Sequence, residues 1–202
     1  MTPHPRPHDA HMRPRLGVLL SGSGRTLQNL LDRIGDGRMH ASIAGVVSDR
    51  SDAFGLQRAL DHGLDARCLR EPSAIWSWLL ELDVDLVVLA GYLRLLPIVP
   101  EFAGRVLNIH PSLLPKFGGK GMYGEHVHAA VLAAGERESG CTVHLCDEAY
   151  DRGRILVQAR VPVLPTDSAT TLAARVLAAE FEAYPAGIAL RWRELAEPAD
   201  AT

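Results

Sequence analysis

Short apolar runs alternate with stretches of helical length through most of this sequence, and that alternation leaves few folds open. Residues 16–20, 43–48, 66–69, 86–92 and 106–110 have the length and composition of strands, while 25–34, 53–62 and 74–82 between them are long enough for helices. Parallel strands need a crossover, most often a helix, so this order predicts a parallel sheet covered by helices. The run LVVLAGY at 86–92 is apolar throughout and belongs near the sheet centre. Further on, a helix at 125–134 leads to strands at 141–146 and 155–163, joined by a turn too short for a helical crossover, so these two strands pair antiparallel. A last long helix begins behind Asp167 or Ser168, either of which can cap it, and Pro185 predicts a bend or break inside it. The expected fold is α/β: a single three-layer, Rossmann-like domain over 15–196, its sheet mostly parallel with an antiparallel strand near the C-terminus. Proline-rich, weakly apolar residues 1–14 and the short stretch 197–202 are expected to be tails.

Composition excludes several functions. The chain has 202 residues, 47% hydrophobic and 22% charged, as an ordinary single domain has. Lys plus Arg number 21 against 24 for Asp plus Glu, and a net charge of -3 lacks the basic excess of a nucleic-acid surface. No apolar run approaches the ~20 residues of a membrane span, and the N-terminal residues lack the apolar core of a secretory signal. Cys68, Cys141 and Cys146 are odd in number and lack zinc-ligand spacing, which predicts reduced thiols in a cytoplasmic protein. His4, His8 and His11 in the tail read as plain polar residues rather than a metal site.

Two segments carry chemistry. In the strand ending at His110, alternate side chains share a face, so Val106, Asn108 and His110 point one way and Leu107 and Ile109 the other. Pro111 then ends the ladder. An amide N–H beside an imidazole suits reaction at a carbonyl carbon: the first bonds a developing oxyanion and the second moves a proton near neutral pH. The other segment, Ser21-Gly22-Ser23-Gly24-Arg25-Thr26, joins the first strand to the first helix. Glycines there turn backbone N–H groups toward an anion at the helix N-terminus. A dinucleotide fingerprint would need a third glycine where Leu27 stands.

The segment NIHPSLLPKF at 108–117, followed by SGCTVH at 139–144 and DEAYDRG at 147–153, resembles the two signatures of the folate-dependent formyltransferases, and the similarity runs from about residue 16 to about residue 192. The resemblance implies transfer of a formyl group from 10-formyltetrahydrofolate to the amine of glycinamide ribonucleotide in purine synthesis, with no metal, small-molecule substrates and a monomer or homodimer. It implies catalytic roles for Asn108, His110 and Asp151, with Asp147 the competing carboxylate. Gly24, Arg25 and Thr26 would hold the substrate phosphate, although the family's Gly-Ser-Asn has become Gly-Arg-Thr here. Glu180 would contact the ribonucleotide; Leu93, Arg94, Leu95, Leu96, Asn108 and Asp147 would form the folate site, with Leu93 and Leu96 lining the pterin slot. His144 and Cys146 are expected to be structural. The family's Pro-Gly is replaced by GGKGMYG at 118–124, whose four glycines predict a pliable lid. Hydrolysis of formyl-folate is the nearest rival activity, since the same three residues can direct water. The deformylases carry an extra N-terminal domain that 15 tail residues do not supply, and the tRNA-modifying relatives a further C-terminal one. A catalytically silent folate- or nucleotide-binding module is the rival of another class, and it has no need of all three catalytic residues.

Overall fold

A computed structural model describes residues 13–197. The tails expected at the two ends lie almost wholly outside the described residues. The chain runs β1 (Arg15–Leu20), α1 (Arg25–Gly35), β2 (Ser42–Ser48), α2 (Phe54–Asp61), β3 (Ala66–Cys68), α3 (Pro72–Glu81), β4 (Leu86–Leu89), a single 3-10 turn (Pro100–Phe102), β5 (Val106–His110), α4 (Glu125–Ala133), β6 (Glu138–Leu145), β7 (Ile155–Pro162) and α5 (Ala169–Ala196). The strands form one sheet in the order β3-β2-β1-β4-β5-β6-β7. All neighbours are parallel from β3 to β5; β6 runs antiparallel to both β5 and β7. One reversed strand near the C-terminus is what the short 146–155 connection predicts.

Both sheet faces are covered, giving three layers. On one side Leu16, Val18, Leu20, Val46, Val88, Leu107 and Ile109 pack against α1 and α5, through Leu27, Leu30, Val176, Tyr184 and Ile188. On the other, Leu19, Val47, Val87, Leu89 and Val106 meet Trp76, Trp78 and Leu79 of α3, together with Leu96 and Phe102. Two fully buried strand neighbours therefore face opposite layers, the reason β1 and β4 read as unbroken apolar runs. β4 is shorter than the expected 86–92. Its ladder bonding ends with Ala90 N–H on the Leu19 carbonyl (2.7 Å), and Gly91 at φ 79° turns the chain out of the extended region.

Pro185 neither breaks α5 nor leaves a carbonyl without a partner. Proline cannot donate to the Phe181 carbonyl one turn back, and the Asn29 side-chain amide on α1 donates to it instead, at 3.0 Å. Ser168, not Asp167, caps α5: its Oγ accepts from Thr171 N–H while the Thr171 hydroxyl accepts from Ser168 N–H. Asp167 pairs with Arg175 at 2.6 Å instead. Tyr184 ties α5 to the sheet, with its buried hydroxyl 3.0 Å from the carbonyls of both Leu89 and Leu107, at the ends of β4 and in β5. Tyr184→Phe is expected to cost about 1–3 kcal/mol in urea unfolding, because the one hydroxyl hydrogen shared by two buried carbonyls is lost. A loss below about 0.5 kcal/mol would show that the hydroxyl does not fasten the helix. Among the described residues no helix is long and apolar enough to cross a membrane.

Candidate active site

Strand order reverses between β1 and β4, and loops leaving the two strands part there to open a crevice. The loops are tied at their bases: Ser21 N–H donates to the Gly91 carbonyl (3.0 Å) and Leu93 N–H to Ser21 Oγ (3.0 Å). A cavity of about 810 Å³ opens above them, within the range of ligand sites. It is lined by Gly22 to Thr26 after β1, by Asn108, His110 and Asp151, by Glu180 of α5 and by residues 119–124.

The group of Asn108, His110 and Asp151 is held from several directions. Asn108 and His110 project from the same face of β5, as the alternation predicts. The loop after His110 is pinned by Thr142 of β6, whose Oγ1 donates to the Ser112 carbonyl (2.7 Å) and accepts from Leu114 N–H (3.0 Å). This brings the Phe117 carbonyl to 2.8 Å from His110 Nε2. A carbonyl only accepts, so Nε2 carries the hydrogen and Nδ1 keeps the free lone pair. That lone pair faces Asp151 Oδ2 at 3.5 Å. Asp151 sits at φ 56°, a left-handed conformation that Asp tolerates better than most residues, and its Oδ2 also accepts from Gly119 N–H at 2.9 Å. A Cβ at Gly118 would stand 2.5 Å from Leu114 and 3.2 Å from the Asp151 side chain, so a glycine is needed where the loop passes the carboxylate.

His144, expected to be structural, is packed behind this group and bonds Asn108. It lies directly opposite Asn108 in the β5–β6 register. Its Nδ1 donates to the Leu145 carbonyl (2.9 Å), which leaves Nε2 to accept from Asn108 Nδ2 at 3.1 Å; Asp151 Oδ1 stands 3.3 Å from the same amide nitrogen and 3.5 Å from the His144 ring. Cys146 lies just beyond, where burial pushes its thiol well above the usual range.

Electrostatics separate the acid from the base. Burial holds the His110 pKa below that of a free imidazole, with Asp151 and the Phe117 carbonyl pulling upward and His144 adding to the depression. Burial alone would raise Asp151, but the adjoining His144 ring, the charge of a protonated His110 and the Gly119 N–H outweigh it and keep the carboxyl below its ordinary range. Near pH 7 the pair is a neutral imidazole beside a carboxylate. Glu180 behaves oppositely: desolvation pushes it up to about 7 against the pull of Arg25.

The expected folate residues divide. Leu93 lines the cavity. Leu96 does not; it is buried in the core beneath with Trp76 and Phe102. Arg94 donates to the Arg70 carbonyl at 2.9 Å, and Leu95 is exposed. Asp147 is exposed too, its Oδ1 accepting from Ala149 N–H in a local turn (2.9 Å), while Tyr150 reaches the cavity from the same loop. His128 of α4, buried and facing the cavity with Nδ1 unpartnered, had no motif to announce it.

Residues 14–188 match the family model described as Formyl transferase. The chain is 42% identical over 183 residues to the chloroplastic phosphoribosylglycinamide formyltransferase of Vigna unguiculata, covering 85% of this chain and 59% of that protein. It is 39% identical over 189 residues to the phosphoribosylglycinamide formyltransferase of Haemophilus influenzae, covering 88% of this chain and 86% of that one. The crystal structure of glycinamide ribonucleotide transformylase 1 from Symbiobacterium toebii superposes with a TM-score of 0.82 at 41% identity, covering 90% of this chain and 89% of that chain.

Proposed function

The chain belongs to the formyl transferase family, and within it we propose that this protein transfers the formyl group of 10-formyltetrahydrofolate to the amine of glycinamide ribonucleotide, a step of purine synthesis. One observation carries the reading: a neutral His110, its Nδ1 lone pair facing Asp151 and Asn108 beside it, shares a single cavity with the glycine loop at the head of α1. The amine nitrogen attacks the formyl carbon, and the carbonyl electrons move onto oxygen. Asn108 Nδ2 bonds that oxyanion, giving up its longer contact with Asp151. The amine proton passes to His110 Nδ1, where Asp151 stabilises the imidazolium. The imidazolium returns a proton to the folate nitrogen as the carbon–nitrogen bond to folate breaks. Supporting the ligand assignment, Gly24, Arg25 and Thr26 line the cavity at the head of α1 for the phosphate, Glu180 lines the same cavity under the influence of Arg25, and Gly91 and Leu93 line it after β4 for the pterin. Free thiols at all three cysteines support a cytoplasmic setting.

The direct test mixes pure protein with 10-formyltetrahydrofolate, with and without glycinamide ribonucleotide. Tetrahydrofolate is expected only when the ribonucleotide is present; equal release without it would mean hydrolysis. A second expectation concerns the two halves of the cavity. Gly24 has φ 71°, and a Cβ there would stand 2.6 Å from the Gly55 backbone. Gly24→Val should therefore weaken ribonucleotide binding by about tenfold or more in calorimetry while leaving a folate analogue near wild type. Loss of folate binding with ribonucleotide retained would reverse the assignment of the halves.

A further inference from the structure

The glycine loop is an anion site only if its N–H groups stay aimed at the cavity, and the structure shows what aims them. In a trans peptide the C=O and the next N–H point opposite ways, so anchoring a carbonyl fixes the following N–H. The Gly22 carbonyl accepts from Gly55 N–H at 3.0 Å, and the Gly24 carbonyl from Gln28 N–H at 2.9 Å. The carbonyl between them, on Ser23, is held by a side chain: Arg58 Nε of α2 donates to it at 2.9 Å. The Arg58 guanidinium is itself fixed, with Nη1 donating to Gln28 Oε1 at 3.0 Å and its plane over the Phe54 ring at 4.9 Å. Arg58 is not part of the cavity wall; it stands behind the loop.

We propose that Arg58 is a positioning residue for phosphate recognition, aiming the Gly24 N–H at a phosphomonoester by holding the Ser23 carbonyl on the far side of the loop. The proposal rests on the phosphate-site reading above. A guanidinium bonded to that carbonyl also polarises the Ser23–Gly24 peptide, strengthening its N–H as a donor, and places a positive charge one peptide behind the anion. Without Arg58 the Ser23 carbonyl is free to swing toward the phosphate and repel it.

The test compares wild type, Arg58→Gln and Arg58→Lys, with Arg50→Gln as control because Arg50 pairs with Asp52 on the exposed surface. Glycinamide ribonucleotide binding is measured by calorimetry, and both KM values and kcat by steady-state kinetics. Arg58→Gln is expected to raise Kd and KM for the ribonucleotide about 10- to 100-fold, with kcat and the folate KM within about threefold of wild type. Arg58→Lys, which keeps a charge and a donor, should recover part of the loss, and Arg50→Gln should match wild type. Should Arg58→Gln fail to fold, Phe54→Leu, which removes the ring under the guanidinium, should raise the ribonucleotide KM alone by a few-fold. Ribonucleotide affinity unchanged in Arg58→Gln, or an equal loss for both substrates, would overturn the proposal. Wild-type protein that binds the ribonucleotide but transfers no formyl group would instead refute the proposed reaction, and calorimetry would still decide the part played by Arg58.

Discussion

His110→Ala should lower kcat by roughly 10²–10⁴-fold, the usual contribution of a positioned acid–base group, with both KM values little changed. The imidazole is 4% exposed and bonded to protein on Nε2, so its removal affects the reaction step far more than the entry of either substrate. The wild-type rate should also depend on pH in one direction on the acid side. Burial keeps the His110 pKa below its ordinary value, so the ring is neutral and basic at pH 7, and activity falls as acid protonates Nδ1. That limb should be missing from His110→Ala. Near-normal turnover in the variant would remove His110 from the mechanism.

Asp151→Asn should have the second largest effect, and it distinguishes two carboxylates four residues apart. Asn keeps the size of Asp and can still accept from Gly119 N–H, so the fold should persist while the charge beside Nδ1 is gone. With Asp151 no longer pulling it upward, the His110 pKa should drop further, by a shift readable in a histidine NMR titration, each unit being about 1.4 kcal/mol of lost support for the imidazolium. Turnover should fall by roughly 10²-fold or more. Asp147→Asn, whose parent carboxylate caps its own turn in solvent, should leave both quantities near wild type. Equal effects of the two substitutions would place the catalytic carboxylate elsewhere. A stability corollary follows from the sign of the Asp151 shift. A carboxyl held below its unfolded value contributes stability above the unfolded pKa, and that stability is lost as pH falls through the folded pKa.

The parts of this molecule written in local periodicity were legible in the sequence. Strand-length apolar runs separated by helical stretches gave the parallel sheet, and period-two alternation put Asn108 and His110 on one face of β5. What was missed depends on partners distant in sequence. Pro185 reads as a bend or a break, and only the second is ruled out, because nothing near it announces that Asn29, 152 residues from Phe181, will supply the missing donor. The bond from Asn108 to His144 is set by the β5–β6 register, which no local pattern announces. Leu96 follows a turn, where no periodicity tells which way a side chain points, and the core beneath took it. Asp147 and Asp151 were told apart by motif position; the geometry shows the physical difference, a solvated turn carboxylate against one enclosed by two imidazoles. Arg58 carried no signal, since a positioning contact to a backbone carbonyl leaves no motif.

The most decisive measurement follows the formyl carbon itself. Wild-type protein is incubated with 10-formyltetrahydrofolate labelled with carbon-13 in the formyl group, together with glycinamide ribonucleotide, and the carbon is tracked by NMR. Formyl transfer predicts that the label moves into an amide on the ribonucleotide in step with tetrahydrofolate formation, at a rate that collapses in His110→Ala and Asp151→Asn. Label appearing as free formate, or remaining on the folate while the ribonucleotide is bound, would contradict it.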